Sequence, residues 1–199
     1  MNMYLAGLMP SPTLSQRLGR AIAATVGWKV EIQEPPPAKC VIIAAPHTSN
    51  WDLMLTFLFI LASGLRLRWV GKDTLFRGPF DRMFRKLGGI PVNRRVRENF
   101  VEQMVAAFRS HETLRLAIVP EGTRRAAPHW KTGFYYIALG AGVPIVLGYD
   151  DYRRKVVGLG PTIHPSGDIH ADLQRIRAFY AGMVGKHPER QGPIEIRGA

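Results

Sequence analysis

Residues 38–45 read AKCVIIAA, with Pro35, Pro36 and Pro37 directly before them and Pro46 directly after. Proline has no N–H and disfavours helix in the residue that precedes it, so this stretch cannot be the middle of a long helix. An apolar run between such breakers reads as a buried strand. Downstream, strand-like stretches at 67–70, 90–92, 114–119, 143–147 and 156–159 alternate with helix-like stretches at 51–62, 79–86, 99–108, 132–139 and 168–183. That alternation predicts one α/β domain, with a mixed, largely parallel sheet flanked by helices. Pro91 inside the 90–92 stretch points to an edge strand. In open α/β sheets, sites form outside the carboxyl ends of the strands. His47, Arg94 and Glu121 each fall just beyond such an end.

The three prolines divide residues 1–34, an N-terminal amphipathic helical segment, from residues 35–199, the α/β domain. In the first part Leu14, Leu18, Ile22 and Val26 recur every four residues, with Arg17 and Arg20 nearby. The spacing predicts an amphipathic helix. Its apolar stripe is expected to pack on the body, and a helix lying on an anionic membrane surface is the functional reading beside it. No secretory signal is legible. The longest uncharged apolar stretch, 53–65, falls short of the roughly 20 residues a bilayer needs. It reads as a core helix or as one that dips into the interface.

The single cysteine, Cys40, excludes an intrachain disulfide and fits a reducing compartment. Within its apolar run it reads as a buried thiol rather than a nucleophile. The formal net charge of +12 over 199 residues calls for an anionic partner: phosphate, acidic lipid, nucleic acid or an acidic carrier protein. Much of the positive charge is concentrated between Arg66 and Arg97.

PHTSNWD, at 46–52, follows the buried strand. Ser49-Asn50-Trp51-Asp52 fits a capping box, in which Asp52 bonds back to the Ser49 N–H and His47 is a plain loop residue. The other reading joins His47 to Asp52. Positions five apart do not stack on a helix, so the pair meets only if His47 lies in a turn and Asp52 in the first helical turn.

Four stretches stand in order along the chain: PHTSNWD at 46–52, GGIPVNR at 88–94, VPEGTRR at 119–125 and GVPIVLG at 142–148. The series resembles the glycerolipid acyltransferase family, which includes lysophosphatidic acid acyltransferases, over more than half of the chain. The resemblance implies His47 and Asp52 as the catalytic H-x-x-x-x-D pair. It implies Arg94, Glu121, Gly122, Thr123 and Arg124 as substrate-binding residues. The expected donor is an acyl-CoA or acyl-carrier protein, and the expected acceptor a lysophospholipid such as 1-acylglycerol-3-phosphate. No metal, no other cofactor and no nucleic acid are expected. The resemblance also implies a cytoplasmic location, peripheral on the inner face of the membrane. The chain departs from the family pattern at Pro91, Asn93, Val119 and Arg125, which leaves the acceptor open.

The residue chemistry runs the same way. Acyl transfer from a thioester to an alcohol needs a base for the hydroxyl proton, and histidine suits that task. A carboxylate on the far ring nitrogen fixes the tautomer and stabilises the imidazolium. Arg94 and Arg124 offer forks for a phosphate. Backbone N–H groups at 49–51 are candidates for an oxyanion site, and Ile145 and Val146 for a buried wall. Two other classes stay open. A thioesterase or hydrolase could use the same His-Asp pair on water, although no G-x-S-x-G elbow is present. A non-catalytic binder of anionic lipid or nucleic acid could use the basic surface.

Overall fold

The computed structural model describes residues 12–92 and 100–197. In chain order they form α1 (Leu14–Thr25), β1 (Lys29–Ile32), β2 (Lys39–Ala45), α2 (Trp51–Ser63), β3 (Arg68–Lys72), a 3-10 turn (Asp73–Phe76), α3 (Asp81–Lys86), β4 (Gly89–Val92), α4 (Phe100–Ser110), β5 (Leu114–Ile118), α5 (Gly133–Ala141), β6 (Ile145–Asp151), β7 (Val156–Ile163) and α6 (Ile169–Tyr180), with a last 3-10 turn at Pro188–Arg190. The seven strands make one sheet in the order β1-β7-β6-β2-β5-β3-β4. Only β6 and β7 pair antiparallel; the other neighbours run parallel. The expected α/β architecture is therefore present, and the Pro91 strand lies at the sheet edge.

The apolar run of β2 explains its central place. Cys40, Val41, Ile42 and Ile43 are all at most 2% exposed, because successive side chains enter opposite layers. Val41 and Ile43 join Ile145 and Leu147 in a core with Phe108, Phe134, Ile137, Leu173 and Ile176. Cys40 and Ile42 join Val146 with Leu55 and Phe59 of α2. Helices α4, α5 and α6 thus cover one face of the sheet. The other face carries α2, with α1 packed on it and α3 reached through Phe57 and Phe84. Burial pushes the Cys40 thiol up to about 12, so it is inert at neutral pH.

Within the segment 1–34, β1 extends the sheet along β7 and α1 lies on α2. The packing face of α1 is not the expected one. Leu14, Leu18, Ile22 and Val26 are 84%, 56%, 40% and 54% exposed, whereas Gly19 and Ala23 are buried. Close approach is the reason. A Cβ added at Gly19 falls 2.6 Å from the Ala62 backbone nitrogen, so only small residues fit between the helices and the bulky stripe turns outward. Gln16 donates to the Ser63 carbonyl at 2.8 Å and helps close the end of α2. Residues 53–63 of the 53–65 stretch lie in α2, a core helix with Leu55, Phe59 and Ala62 buried. No helix among the described residues is long and apolar enough to cross a membrane.

Candidate active site

Strands β2, β5 and β6 are parallel, so the segments that follow them leave from one edge of the sheet. PHTSNWD follows β2, PEGTR follows β5, and Tyr152 follows β6. The sheet alone brings together residues up to a hundred positions apart.

Asp52 lies in the first turn of α2 and is 3% exposed. Its Oδ2 stands 3.0 Å from His47 Nδ1. The same oxygen accepts the Thr48 and Ser49 backbone N–H groups, each at 2.9 Å. Its Oδ1 accepts the Tyr152 hydroxyl at 2.8 Å. The two readings of this stretch therefore coexist: Asp52 bonds back to the Ser49 N–H and also meets the imidazole. Burial works to raise the Asp52 carboxyl, but the hydrogen bonds from His47, Ser49 and Tyr152 outweigh it and hold the group below its ordinary range. With Nδ1 facing the carboxylate, Nε2 has no partner among the described residues, and the side chain is 23% exposed.

Glu121 is 4% exposed. Its Oε1 accepts the His47 backbone N–H at 2.9 Å, which fixes the backbone from which the imidazole projects. Its Oε2 is buried without a hydrogen-bond partner among the described residues. Burial, with the Asp52 charge adding to it, pushes Glu121 up to about 7 against the opposing His47 N–H bond. Gly122 takes the left-handed backbone, at φ +65, which favours glycine. It closes the turn by donating to the Val119 carbonyl at 3.1 Å. Thr123 Oγ1 accepts the Arg125 N–H at 3.3 Å. The exposed Arg124 guanidinium donates to the Asn50 side-chain oxygen. The PEGTR turn thus touches the His47 turn twice, through Glu121 and through Arg124.

Arg94 lies outside the described residues. Ile145 and Val146 are fully buried and serve the core. The expectation of an oxyanion site at 49–51 is corrected in part. The Ser49 N–H is bound by Asp52 and the Trp51 N–H by Ser49 Oγ at 3.2 Å, so neither is free for a substrate. Among the described residues no His, Cys, Asp and Glu cluster can hold a metal ion.

Sequence reasoning missed Tyr152, Asn50 and Asp150. Tyr152 stands directly after β6, but the expected strand ended at 147, four residues before β6 does. Trp28 packs edge-on against the Tyr152 ring at 4.9 Å. Asp150 is held well above the usual carboxylate range by burial and by the Asp52 charge.

Known proteins resemble the chain in sequence and in fold. The family model described as Acyltransferase matches residues 27–146. A 1-acyl-sn-glycerol-3-phosphate acyltransferase of Salmonella typhimurium is 29% identical over 143 residues, covering 67% of this chain and 57% of that protein. The Escherichia coli protein of that name is 28% identical over 144 residues, with the same shares. The chain thus spans 57% of the length of these curated relatives. The crystal structure of a 1-acyl-sn-glycerophosphate acyltransferase from Thermotoga maritima aligns with a TM-score of 0.57 at 17% identity, covering 80% of this chain and 72% of that one. At that identity the likeness is one of fold.

Proposed function

The chain belongs to the acyltransferase family, and from that premise we propose that it moves a fatty acyl group from an acyl thioester to the hydroxyl of a lysophospholipid such as 1-acylglycerol-3-phosphate. The observation that carries this reading is the His47 Nδ1–Asp52 Oδ2 contact of 3.0 Å, which leaves Nε2 without a partner among the described residues. Nε2 takes the proton of the acceptor hydroxyl as its oxygen attacks the thioester carbonyl carbon. The new C–O bond forms and the C–S bond breaks. The imidazolium then returns the proton to the departing thiolate. Asp52 stays ionised throughout and steadies the imidazolium. Its lowered pKa suits that duty. The thioester is activated already, so no further cofactor enters.

Arg124 is the proposed fork for an acceptor phosphate, with Arg94 as its partner in that task. Glu121, Gly122 and Thr123 shape the acceptor turn. The donor is an acyl-CoA or an acyl-carrier protein thioester, both anionic and both suited to a chain of net charge +12.

The test incubates the purified chain and His47→Ala with either thioester and a panel of lysophospholipids. Thiol release and lipid product are read together. The expected result is acceptor-dependent product from the parent chain, lowered about 10²–10⁴-fold by His47→Ala, with an unchanged melting curve. Thiol release without acylated lipid overturns transfer in favour of hydrolysis.

A further inference from the structure

The helical layer that contains α2 turns an unusual amount of apolar surface outward beside the candidate site. After β3, which is parallel to β5 and therefore ends at the same sheet edge, the chain enters the 3-10 turn and α3. Leu75, Phe80, Met83 and Leu87 there are 38%, 59%, 44% and 38% exposed. Phe80, Met83 and Leu87 stand at helical spacing on one face. Phe84, on the flank of that face, turns inward and packs on Phe57, Trp69 and Phe76. The outward residues therefore rest on a fixed aromatic floor.

Charge is interleaved with this apolar surface. Residues 72–87 carry five basic side chains against two acidic ones, a net +3. Both acids are matched within the segment, Asp73 by Arg77 and Asp81 by Arg85, each at 2.7 Å. Lys72, Arg82 and Lys86 have no ion-pair partner among the described residues. Bulky apolar side chains with free cations beside them match the chemistry of an anionic lipid interface, where the apolar groups enter the headgroup boundary and the cations meet phosphates.

We propose that the 3-10 turn and α3 form a membrane-docking segment, which seats Leu75, Phe80, Met83 and Leu87 in the interface of an anionic bilayer. A second copy of the chain is a poor occupant, since each copy carries a net charge of +12 and two such patches repel. An acidic protein would meet the charge but gives no reason for four large apolar groups turned outward. Docking at this edge presents the His47 end of the sheet to the phase that holds a lipid acceptor. The inference goes beyond the proposed reaction and is read without turnover.

The full chain is sedimented with phosphatidylcholine vesicles, with and without phosphatidylglycerol, beside Phe80→Glu/Met83→Glu and Arg82→Glu/Lys86→Glu. Circular dichroism melts check that each variant folds. The parent chain and His47→Ala should bind the anionic vesicles equally. Each paired variant should bind at least about tenfold more weakly, and added salt should narrow the gap for the charge pair. Binding at the parent level by both variants overturns the proposal, as does binding lost only in Leu14→Glu/Leu18→Glu, which would move the surface to α1. Unchanged vesicle binding with lost retention on immobilised acyl-carrier protein also overturns it and makes the segment a protein-docking site.

Discussion

The two helical layers against the sheet are built on opposite plans. Under α4, α5 and α6 most large side chains point inward, with Tyr136 and Leu139 of α5 the exceptions at 50% and 42% exposed, and buried polar tips are matched. Tyr135 donates to the buried Asp172 at 2.9 Å, and Tyr180 donates to the Gly148 carbonyl at 2.7 Å. Trp130, Phe134 and Tyr180 meet edge to face. In the other layer α1 packs through small residues and exposes its leucines, α2 exposes Trp51 and Met54, and α3 exposes Phe80 and Met83. The first layer supplies the larger of the two buried clusters. The second carries Asp52 in the first turn of α2, beside the His47 turn, and leaves large apolar side chains exposed.

A matched pair of substitutions tests that division most strongly. Phe134 on α5 is 1% exposed, and Phe80 before α3 is 59% exposed. Phe134→Ala should cost about 3–5 kcal/mol, the range for emptying a buried aromatic site. Phe80→Ala should stay within about 0.5 kcal/mol, as a surface change does. Urea denaturation of both variants reads the difference. Equal losses would mean that the outer layer is also part of the stabilising core.

Glu121 sits where the His47 turn meets the core, and it sharpens the comparison through pH. Its folded value of about 7 lies above the ordinary 4.5. A raised pKa favours the protonated group in the folded state. Its stabilising effect is therefore complete below about pH 4.5, declines as pH rises, and is gone above about pH 7. The size of the change is about 3 kcal/mol. Glu121→Gln keeps an acceptor for the His47 N–H and removes the titration. Its stability relative to the parent chain should rise from about pH 4.5 to about pH 7, the interval between the ordinary and the folded pKa, and level off above it. A constant difference across the interval would place the Glu121 pKa near its ordinary value.

Much of this was legible beforehand, for reasons that explain the rest. The central strand announced itself because a two-sided burial leaves an unbroken apolar run between prolines. Asp52 could be read toward His47 because both lie in one short stretch. The outward face of α1 was not legible, since a four-residue stripe says that a helix is amphipathic but not which face finds a partner. Gly19 carried that information, through a contact with Ala62 that lies 43 positions away. Tyr152 was missed for a related reason: its distance from Asp52 is set by strand order, and local periodicity is blind to strand order. The role of β1 was hidden as well, because its four residues depend on β7 for their pairing.

Tyr152 gives the next test, because it joins Asp52 to the far side of the sheet edge. Tyr152→Phe keeps the ring against Trp28 and deletes the donor to Asp52 Oδ1. A hydrogen bond to a charged group contributes about 1.5–3 kcal/mol, and the loss at neutral pH should fall in the lower part of that range. The Asp52 pKa is depressed, so stability from this contact is present above the ordinary carboxylate pKa and fades as pH falls. The gap between the variant and the parent chain should therefore shrink below about pH 4. Chemical denaturation at neutral and acid pH decides it. A gap that stays constant with pH would show that the hydroxyl is structural and does not act on the ionised carboxylate.

The smallest effect belongs to the outer layer's own ion pairs, and its smallness is the point. Asp81 and Arg85 meet at 2.7 Å in i,i+4 spacing, with the arginine 53% exposed and the aspartate 36%. Solvent and salt screen such a pair, so it is worth about 0.3–0.5 kcal/mol. Asp81→Asn should shift stability by no more than that, and the shift should vanish in high salt. The same substitution also frees Arg85 and raises the net charge of the α3 surface by one. If that surface meets anionic lipid, vesicle binding should strengthen while stability slips, a pair of opposite signs that a folding role cannot produce. A fall in both would return α3 to the structural side of the comparison and leave the apolar surface of the outer layer to α1 alone.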